Sequence, residues 1–128
     1  MWDENRKSTN CIYSNNNLTV KKTGPGFWNC GVIGNVAVDT FTVRLDMEKT
    51  IRYGGGVTIG FTTGDIWNLN DYNSNNNGWF IAIYDGNLFG IGLGGQTAPY
   101  SSKIIHGDYI TVIREGNSIR FKKNKIDL

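Results

Sequence analysis

The chain has 128 residues, a formal net charge of +2, and 17 glycines against two prolines. This length suits one domain with a substantial hydrophobic core, and glycine without a Gly-x-y period excludes collagen and fits many tight turns. The small net charge excludes a strong general attraction to nucleic acid or to membranes. We therefore expect one domain over 1–128, with a polar N-terminal segment over 1–10, that binds neither nucleic acid nor membrane.

The first half of the chain predicts short strands separated by turns. Asn15–Asn17 is a predicted turn between the first two strands. In the fourth strand Phe41, Val43 and Leu45 alternate with polar residues, which is typical of a half-buried strand in an antiparallel sheet. The strand candidates in this half cover residues 11–13, 18–21, 30–33, 40–46 and 57–62.

The second half predicts two β-hairpins, over residues 79–91 and 109–121. In the first, Asp85-Gly86 joins two apolar runs, and Asp-Gly favours the type I′ turn because both central residues need a positive φ. In the second, β-branched and polar residues alternate on either side of Gly116, which supplies the turn.

These nine strands, with no sustained helical period, predict an all-β fold. The long connections at 63–78 and 92–105 favour a bent sandwich of two antiparallel sheets, with a jelly-roll or concanavalin-like strand order rather than a simple meander. We interpret the glycine-rich run at 90–95 as a twisted or bulged strand, because a dinucleotide-binding loop needs a helix after it.

Side chains that could catalyse a reaction are few, and we expect no enzyme activity, no cofactor and no metal site. His106 is the only histidine, and no Gly-x-Ser-x-Gly elbow accompanies it. Asp46 and Glu48 could form a glycosidase pair. The alternative is that they are ordinary solvated charges at a strand end, since Lys49 is close enough in sequence to pair with them. The acidic and amide residues of 65–77 lack the spacing of a calcium loop.

The cysteine content bears on the cellular compartment. Cys11 and Cys30 are too few and too far apart in sequence for a zinc site or a redox motif. They could form a disulfide in a secreted protein, but no signal peptide or membrane-spanning run is visible, so we expect a cytoplasmic protein with two free thiols. Asn17-Leu-Thr19 matches the N-glycosylation acceptor sequence, which has no role in the cytoplasm.

Aromatic and amide side chains on the long connections are the candidates for recognition. Trp67, Tyr72 and Tyr100 are rigid and amphipathic, and such side chains are enriched at binding surfaces. Asn and Asp beside them can hydrogen-bond a peptide backbone or a sugar. The alternative is that Trp67 and Tyr72 only pin the loop to the sandwich. The predicted partner-binding residues are Thr63, Asp65, Trp67, Asn68, Asn70, Tyr72 and Tyr100.

The order of motifs along residues 18–124 resembles a SPRY domain. A strand ending in Ile-Gly-x-x-Thr, a Gly-Trp, a turn glycine, a Gly-Asp-x-Ile and a final Phe-x-x-Asn recur in this order in that family. In this chain the corresponding segments are Ile59-Gly-Phe-Thr-Thr63, Gly78-Trp79, Tyr84-Asp-Gly86, Gly107-Asp-Tyr-Ile110 and Phe121-Lys-Lys-Asn124.

The resemblance implies a non-catalytic module that recognises a peptide or a protein surface through loops at one end of a bent sandwich. It implies that the loop after the Ile-Gly-x-x-Thr strand, residues 63–77, contributes to the binding pocket. It also implies that Trp79 fills the core and that Asp108 fixes a turn through its carboxylate. The residues with implied structural roles are Gly60, Trp79, Gly107, Asp108 and Phe121.

Two departures from the family bear on these expectations. Lys125 stands where the family usually has glycine, and SPRY domains normally continue beyond the position of Leu128 with further strands. We therefore expect the sandwich to be completed by the segment around Trp2 or by a partner chain, and the chain to be a whole small protein or one module of a larger multidomain protein.

The alternative function is a carbohydrate-binding sandwich, with Trp67 or Trp28 stacking on sugar rings. A Cys11–Cys30 disulfide, or calcium bound near Asp65 and Asp71, would favour this alternative.

Overall fold

The computed structural model describes residues 1–23, 29–46, 56–63, 68–70, 78–84, 87–92, 95–96 and 104–128. All regular secondary structure in these residues is β-strand, which confirms the predicted all-β class. Among them there is no helix with the length and apolarity to cross a membrane. The strands are β1 (Trp2–Lys7), β2 (Cys11–Ser14), β3 (Thr19–Lys22), β4 (Val32–Gly34), β5 (Thr40–Arg44), β6 (Gly56–Thr62), β7 (Gly78–Tyr84), β8 (Asn87–Gly92), β9 (Gly95–Gln96), β10 (Tyr109–Glu115), β11 (Ser118–Lys123) and β12 (Ile126–Asp127).

The chain divides into two compact units. The N-terminal unit comprises Met1–Ala37 and Gly64–Asn76, and the C-terminal unit comprises Val38–Thr63 and Asn77–Leu128. The expectation of one domain over 1–128 stays a prediction.

The C-terminal unit contains two four-stranded antiparallel sheets. Their strand orders are β12-β11-β10-β5 and β6-β7-β8-β9. Strand β10 lies inside its sheet and pairs with β5 on one side, from Tyr109 opposite Arg44 to Ile113 opposite Thr40. On its other side β10 pairs with β11, from Ile110 opposite Lys123 onwards. A strand bonded on both sides has its backbone groups satisfied along its length.

Buried side chains from both sheets of the C-terminal unit form one hydrophobic cluster. Ile81 of β7 and Val112 of β10 have no exposed surface. The rings of Phe41 and Phe61, from β5 and β6, meet edge to face with their centroids 5.3 Å apart. Two antiparallel sheets that bury a shared cluster form a β-sandwich-like arrangement.

The alternation predicted for β5 is confirmed, and the apolar residues of β6 also face the buried cluster. On β5 the residues between the apolar ones, Thr40, Thr42 and Arg44, are exposed, so one face of the strand is buried and the other is solvated. The apolar residues of these two segments that lie in the cluster or pack against it are Phe41, Val43, Leu45, Val57, Ile59 and Phe61.

Trp79 corrects one expectation drawn from the resemblance. It is half-buried and lies outside the buried cluster, so it does not fill the core. Its carbonyl oxygen instead explains Gly60 on the neighbouring strand, because a Cβ at Gly60 would overlap that oxygen and come within 2.8 Å of the Phe80 Cα. Glycine at this position allows β6 and β7 to pair closely.

Two-residue turns connect β10 to β11 and β11 to β12. Glu115 pairs with Ser118, so the predicted second hairpin is confirmed, with Gly116 at a φ of 58°. Strand β12 was not predicted, and its turn is Asn124-Lys125, with φ values of 49° and 72°. Positive φ at both central residues is typical of a type I′ turn, in which Asn and Gly are favoured and a lysine is strained.

The first predicted hairpin is confirmed in register, since Tyr84 pairs with Asn87; its turn at 85–86 lies outside the described residues. The interpretation of the glycine-rich run at 90–95 as one twisted or bulged strand is wrong. Strand β8 ends within it, and β9 pairs back onto β8 with Gly92 opposite Gly95. The run therefore contains a third short hairpin rather than a bulge, and its turn at 93–94 lies outside the described residues.

Asp108 fixes a turn through its carboxylate, as the resemblance implied, and it also contacts the β11–β12 turn. Its buried carboxylate accepts a hydrogen bond from the Ile105 backbone N–H at 2.9 Å and from the Asn124 side-chain amide, also at 2.9 Å. The Lys123 ammonium lies 3.9 Å away. Gly107 has a φ of 91°, which closes the turn before β10. The carboxylate therefore joins the entry of β10 to the β11–β12 turn.

In the N-terminal unit β1 pairs with β4, and β2 pairs with β3, both antiparallel. Strand β1 lies in the segment 1–10, for which no strand was expected because Asp, Glu, Asn, Arg and Lys give it no apolar alternation. The Asn15–Asn17 turn between β2 and β3 is confirmed, and all three residues have φ values between 54° and 61°. Asparagine is the residue besides glycine that adopts this conformation most readily.

We predict that Lys125→Gly raises the free energy of unfolding by about 1 kcal/mol, because glycine adopts a φ of 72° without the clash between Cβ and the backbone. Chemical denaturation measures the change. Lys125→Ala removes the same long side chain but keeps Cβ, and it is expected to give no such gain. Equal stabilisation by both substitutions would contradict the turn geometry.

We predict that Asp108→Ala lowers the free energy of unfolding by about 3 kcal/mol, because the Ile105 N–H and the Asn124 amide lose a charged acceptor. The matched control is Asp127→Ala, which removes an exposed carboxylate that pairs with Arg120 and is expected to cost less than about 1 kcal/mol. Similar losses in both variants would mean that the Asp108 hydrogen bonds do not hold these segments together.

Candidate functional site

Cys11 and Cys30 form a disulfide in the N-terminal unit, with their Cα atoms 5.4 Å apart. The prediction of two free thiols is therefore wrong, and the chain has no free cysteine. Sequence separation alone did not reveal that the start of β2 and the segment before β4 lie side by side. Structural disulfides are typical of oxidising compartments, so this bond does not support the cytoplasmic location expected from the lack of a visible signal peptide.

Ser8 is a buried polar centre beside this disulfide. Its Oγ lies 2.7 Å from the Asn29 carbonyl oxygen and 2.7 Å from the Asn70 Oδ1, and its single proton is donated to one of these two acceptors at a time. The same oxygen accepts the Asn10 backbone N–H at 3.0 Å. Ser8 is only 1% exposed, and these hydrogen bonds compensate for the burial of its hydroxyl group. Ser8 thereby links the segment near Cys30 to Asn70, which lies in the predicted recognition loop.

A backbone contact ties the same loop more tightly. The Gly31 N–H donates to the Leu69 carbonyl oxygen at 2.8 Å, and the Ser8 N–H donates to the Gly31 carbonyl oxygen at 2.9 Å. A Cβ at Gly31 would lie 2.8 Å from the Leu69 oxygen and 2.9 Å from its Cα. Only glycine allows this approach without a backbone shift. Residues 68–70 are thus bound to the disulfide-linked part of the N-terminal unit.

The structure describes three of the seven predicted partner-binding residues. Asn68 and Asn70 are exposed as whole residues and lie in the N-terminal unit, where the Asn68 Oδ1 accepts the Asn70 N–H at 3.0 Å. Thr63 is exposed and follows β6 in the C-terminal unit. The other four, Asp65, Trp67, Tyr72 and Tyr100, lie outside the described residues.

Asn70 has a contact that the sequence analysis did not foresee. We expected its amide to bind a partner, whereas its Oδ1 contacts buried Ser8 inside the N-terminal unit. No local pattern predicts this pair, because the two residues are 62 positions apart in sequence. Asn70 therefore helps to hold the loop in place.

The catalytic candidates weighed in the sequence are His106 and the pair Asp46 and Glu48. Asp46 pairs with His106, with 3.1 Å between Oδ1 and Nδ1, and both side chains are largely exposed. Glu48, the second residue of the glycosidase hypothesis, lies outside the described residues. In the part of the chain that the structure describes, no group of three or more His, Cys, Asp or Glu side chains could hold a metal ion.

A polar cluster supports β1 and its neighbours in the N-terminal unit. The Asn5 backbone N–H and the Arg6 guanidinium, both bonded to the Asp3 carboxylate, hold the pKa of Asp3 below its usual value. Arg6 also donates to the Gly34 carbonyl oxygen at 2.9 Å on β4. Burial, and then the Asp3 charge, raise the pKa of Tyr13, whose hydroxyl donates to the Asp3 carbonyl oxygen at 2.8 Å. These contacts link β1 with β2 and β4.

No protein-family profile matches the chain, and no curated protein matches it significantly.

We predict that Gly31→Ala lowers the free energy of unfolding by about 2 kcal/mol, because the new methyl group meets the Leu69 backbone. Hydrogen exchange of the residue 31 amide should accelerate, since that amide donates to Leu69. The matched control is Gly34→Ala, whose Cβ would lie 3.7 Å from the nearest atom outside its immediate neighbours. The control should be neutral or slightly stabilising. Equal destabilisation by both changes would contradict the close approach of residues 31 and 69.

Proposed function

We propose that this chain is a non-catalytic protein-interaction module that recognises a short peptide or a protein surface. The binding surface is the part of the predicted recognition loop that belongs to the N-terminal unit, Gly64–Asn76. We also propose that the two sheets of the C-terminal unit have the bent jelly-roll, concanavalin-like architecture of a SPRY domain, alone or as one module of a larger protein.

The observation that carries this proposal is the anchoring of residues 68–70. A loop that is held at its centre by the Gly31–Leu69 hydrogen bond loses less conformational freedom on binding than an untethered loop. Trp67 directly precedes the anchored stretch in sequence, and Tyr72 follows it by two residues. Aromatic side chains next to a fixed backbone are good anchors for a partner, because little side-chain entropy is lost.

Polar residues in the loop would supply specificity. Asp65 and Asn68 would pair with peptide amides or with a basic side chain of the partner. Asn70 would act mainly by holding the loop through Ser8. This division agrees with the general pattern of interfaces, in which a few aromatic anchors carry most of the binding energy and polar groups around them set orientation.

Three residues of the SPRY resemblance have surroundings that support the architectural part of the proposal. Gly107 has the positive φ that glycine favours, Asp108 fixes the turn before β10, and Phe121 packs against the buried cluster. These are the structural roles that the resemblance implies for them. We place the module in an oxidising compartment rather than in the cytoplasm, because it carries a disulfide.

The second candidate is a carbohydrate-binding β-sandwich, and the Cys11–Cys30 disulfide is the observation that favours it. Small extracellular recognition domains commonly carry such bonds. In this case Trp67 or Trp28 would stack on a sugar ring, with Asn and Asp side chains bonding to its hydroxyl groups.

We predict that Trp67→Ala weakens binding of a protein or peptide partner by about 2 kcal/mol, or roughly 30-fold in Kd, with little change in thermal stability. Partners are captured from cell-surface and secreted fractions without reductant, and the Kd of each recovered partner is measured by calorimetry. The matched control is Tyr109→Ala, an exposed aromatic on β10 outside the proposed surface. It should bind like the unchanged chain.

Three outcomes of this experiment contradict the proposal. Equal loss of affinity in the Trp67 and Tyr109 variants would place the surface elsewhere. Parallel loss of stability and binding in Trp67→Ala would give Trp67 a structural role. Retention on a glycan array, lost in Trp67→Ala and without any protein partner, would replace the protein-interaction function by carbohydrate binding.

A further inference from the structure

The β2–β3 hairpin of the N-terminal unit carries the only Asn-x-Ser/Thr sequence in the chain, Asn17-Leu18-Thr19. A sequence of this kind matters only in a protein that enters a compartment with the glycosylation machinery. The same compartments are oxidising, and the Cys11–Cys30 disulfide is the kind of bond that forms there. The disulfide closes a loop that contains the whole hairpin. The disulfide therefore points to a compartment in which the Asn17 sequence could be modified.

The geometry of the hairpin suits a modified asparagine. Asn17 is the last of three asparagines at the tip of the turn, with a φ of 61°. Its carbonyl oxygen accepts the Trp2 N–H at 2.9 Å, whereas its side-chain amide makes no hydrogen bond in the described part of the chain. The backbone of Asn17 is therefore held by a hydrogen bond. Attachment of a glycan to its side-chain amide would break no hydrogen bond among the described residues.

Asn17 is partly exposed, and its neighbours are open to solvent. Leu18 is 61% exposed, and Thr19, at the start of β3, is also exposed. Met1, next to the Trp2 residue that bonds to Asn17, is 63% exposed. A glycan on Asn17 would have room to extend and would cover apolar side chains that otherwise face water. Glycans are bulky, solubilising surface groups, so this position suits them.

We propose that Asn17 is a site of N-linked glycosylation in the secretory pathway. The donor is an oligosaccharide attached through pyrophosphate to a lipid carrier. The Asn17 amide nitrogen forms a bond to the anomeric carbon of the first sugar, while the bond from that carbon to the pyrophosphate oxygen breaks. The amide loses one proton, and the lipid pyrophosphate leaves as the other product. No oxidation or reduction takes place, and Thr19 supplies the hydroxyl that the acceptor sequence requires.

The experiment expresses the full chain behind a cleavable signal peptide in a eukaryotic secretory host. The secreted protein is analysed by intact mass before and after digestion with peptide-N-glycosidase in heavy-oxygen water, which converts a glycosylated asparagine into labelled aspartate. The expected result is a glycan mass that the enzyme removes, with the label at residue 17. Thiol labelling under denaturing conditions checks that the disulfide is formed.

Three variants test the assignment. Asn17→Gln and Thr19→Ala should abolish the glycan mass, and Thr19→Ser should keep it, because serine satisfies the same acceptor sequence. Thr19→Ala and Thr19→Ser are a matched pair, because they differ from each other only by one hydroxyl group. Secretion of the unchanged chain with an intact disulfide and without a glycan would overturn the proposal, as would a glycan that persists in Asn17→Gln.

Discussion

Strand register decides which side chains are buried in the C-terminal unit. Because side chains alternate along a strand, a slip of β10 by one residue would expose Ile110 and Val112 and turn polar neighbours such as Thr111 inward. The two-residue turn at Gly116 prevents such a slip against β11. Asp108 fixes the point at which β10 begins, through its hydrogen bond to Ile105. The turn at Gly116 and the buried Asp108 carboxylate thus fix the register that keeps the apolar residues of β10 inside the cluster. The two sheets pack together around this cluster.

The N-terminal unit is held together by different means. Among its described residues only Ser8 and Cys11 are fully buried, so these residues do not form a large apolar core of their own. The disulfide, the Ser8 hydroxyl contacts and the Gly31–Leu69 hydrogen bond connect its segments instead. Covalent and polar links of this kind commonly stabilise small domains. Residues 68–70 of the loop assigned to recognition are therefore attached to a segment that the disulfide holds in place.

Much of the C-terminal unit could be predicted from sequence, because alternation and turn residues are local signals. The alternation of β5 and both long hairpins belong to this class. Strand β1 could not be predicted, since its charged residues have no apolar face of their own. The Cys11–Cys30 bond and the Ser8–Asn70 contact depend on segments that meet only after folding. For the candidate site, the sequence indicated Asn70 as a residue of interest but not what its amide contacts.

The disulfide also changes what a single break in the backbone would do. A protease that cuts the chain anywhere between Cys11 and Cys30 would leave the two fragments covalently joined through their sulfur atoms. The segment between them includes β2, β3 and the Asn15–Asn17 turn, whose tip is the kind of exposed position that proteases prefer. Under oxidising conditions such a nick would leave one molecule of nearly unchanged mass. Only a reducing environment would release the N-terminal fragment that carries β1 and Ser8.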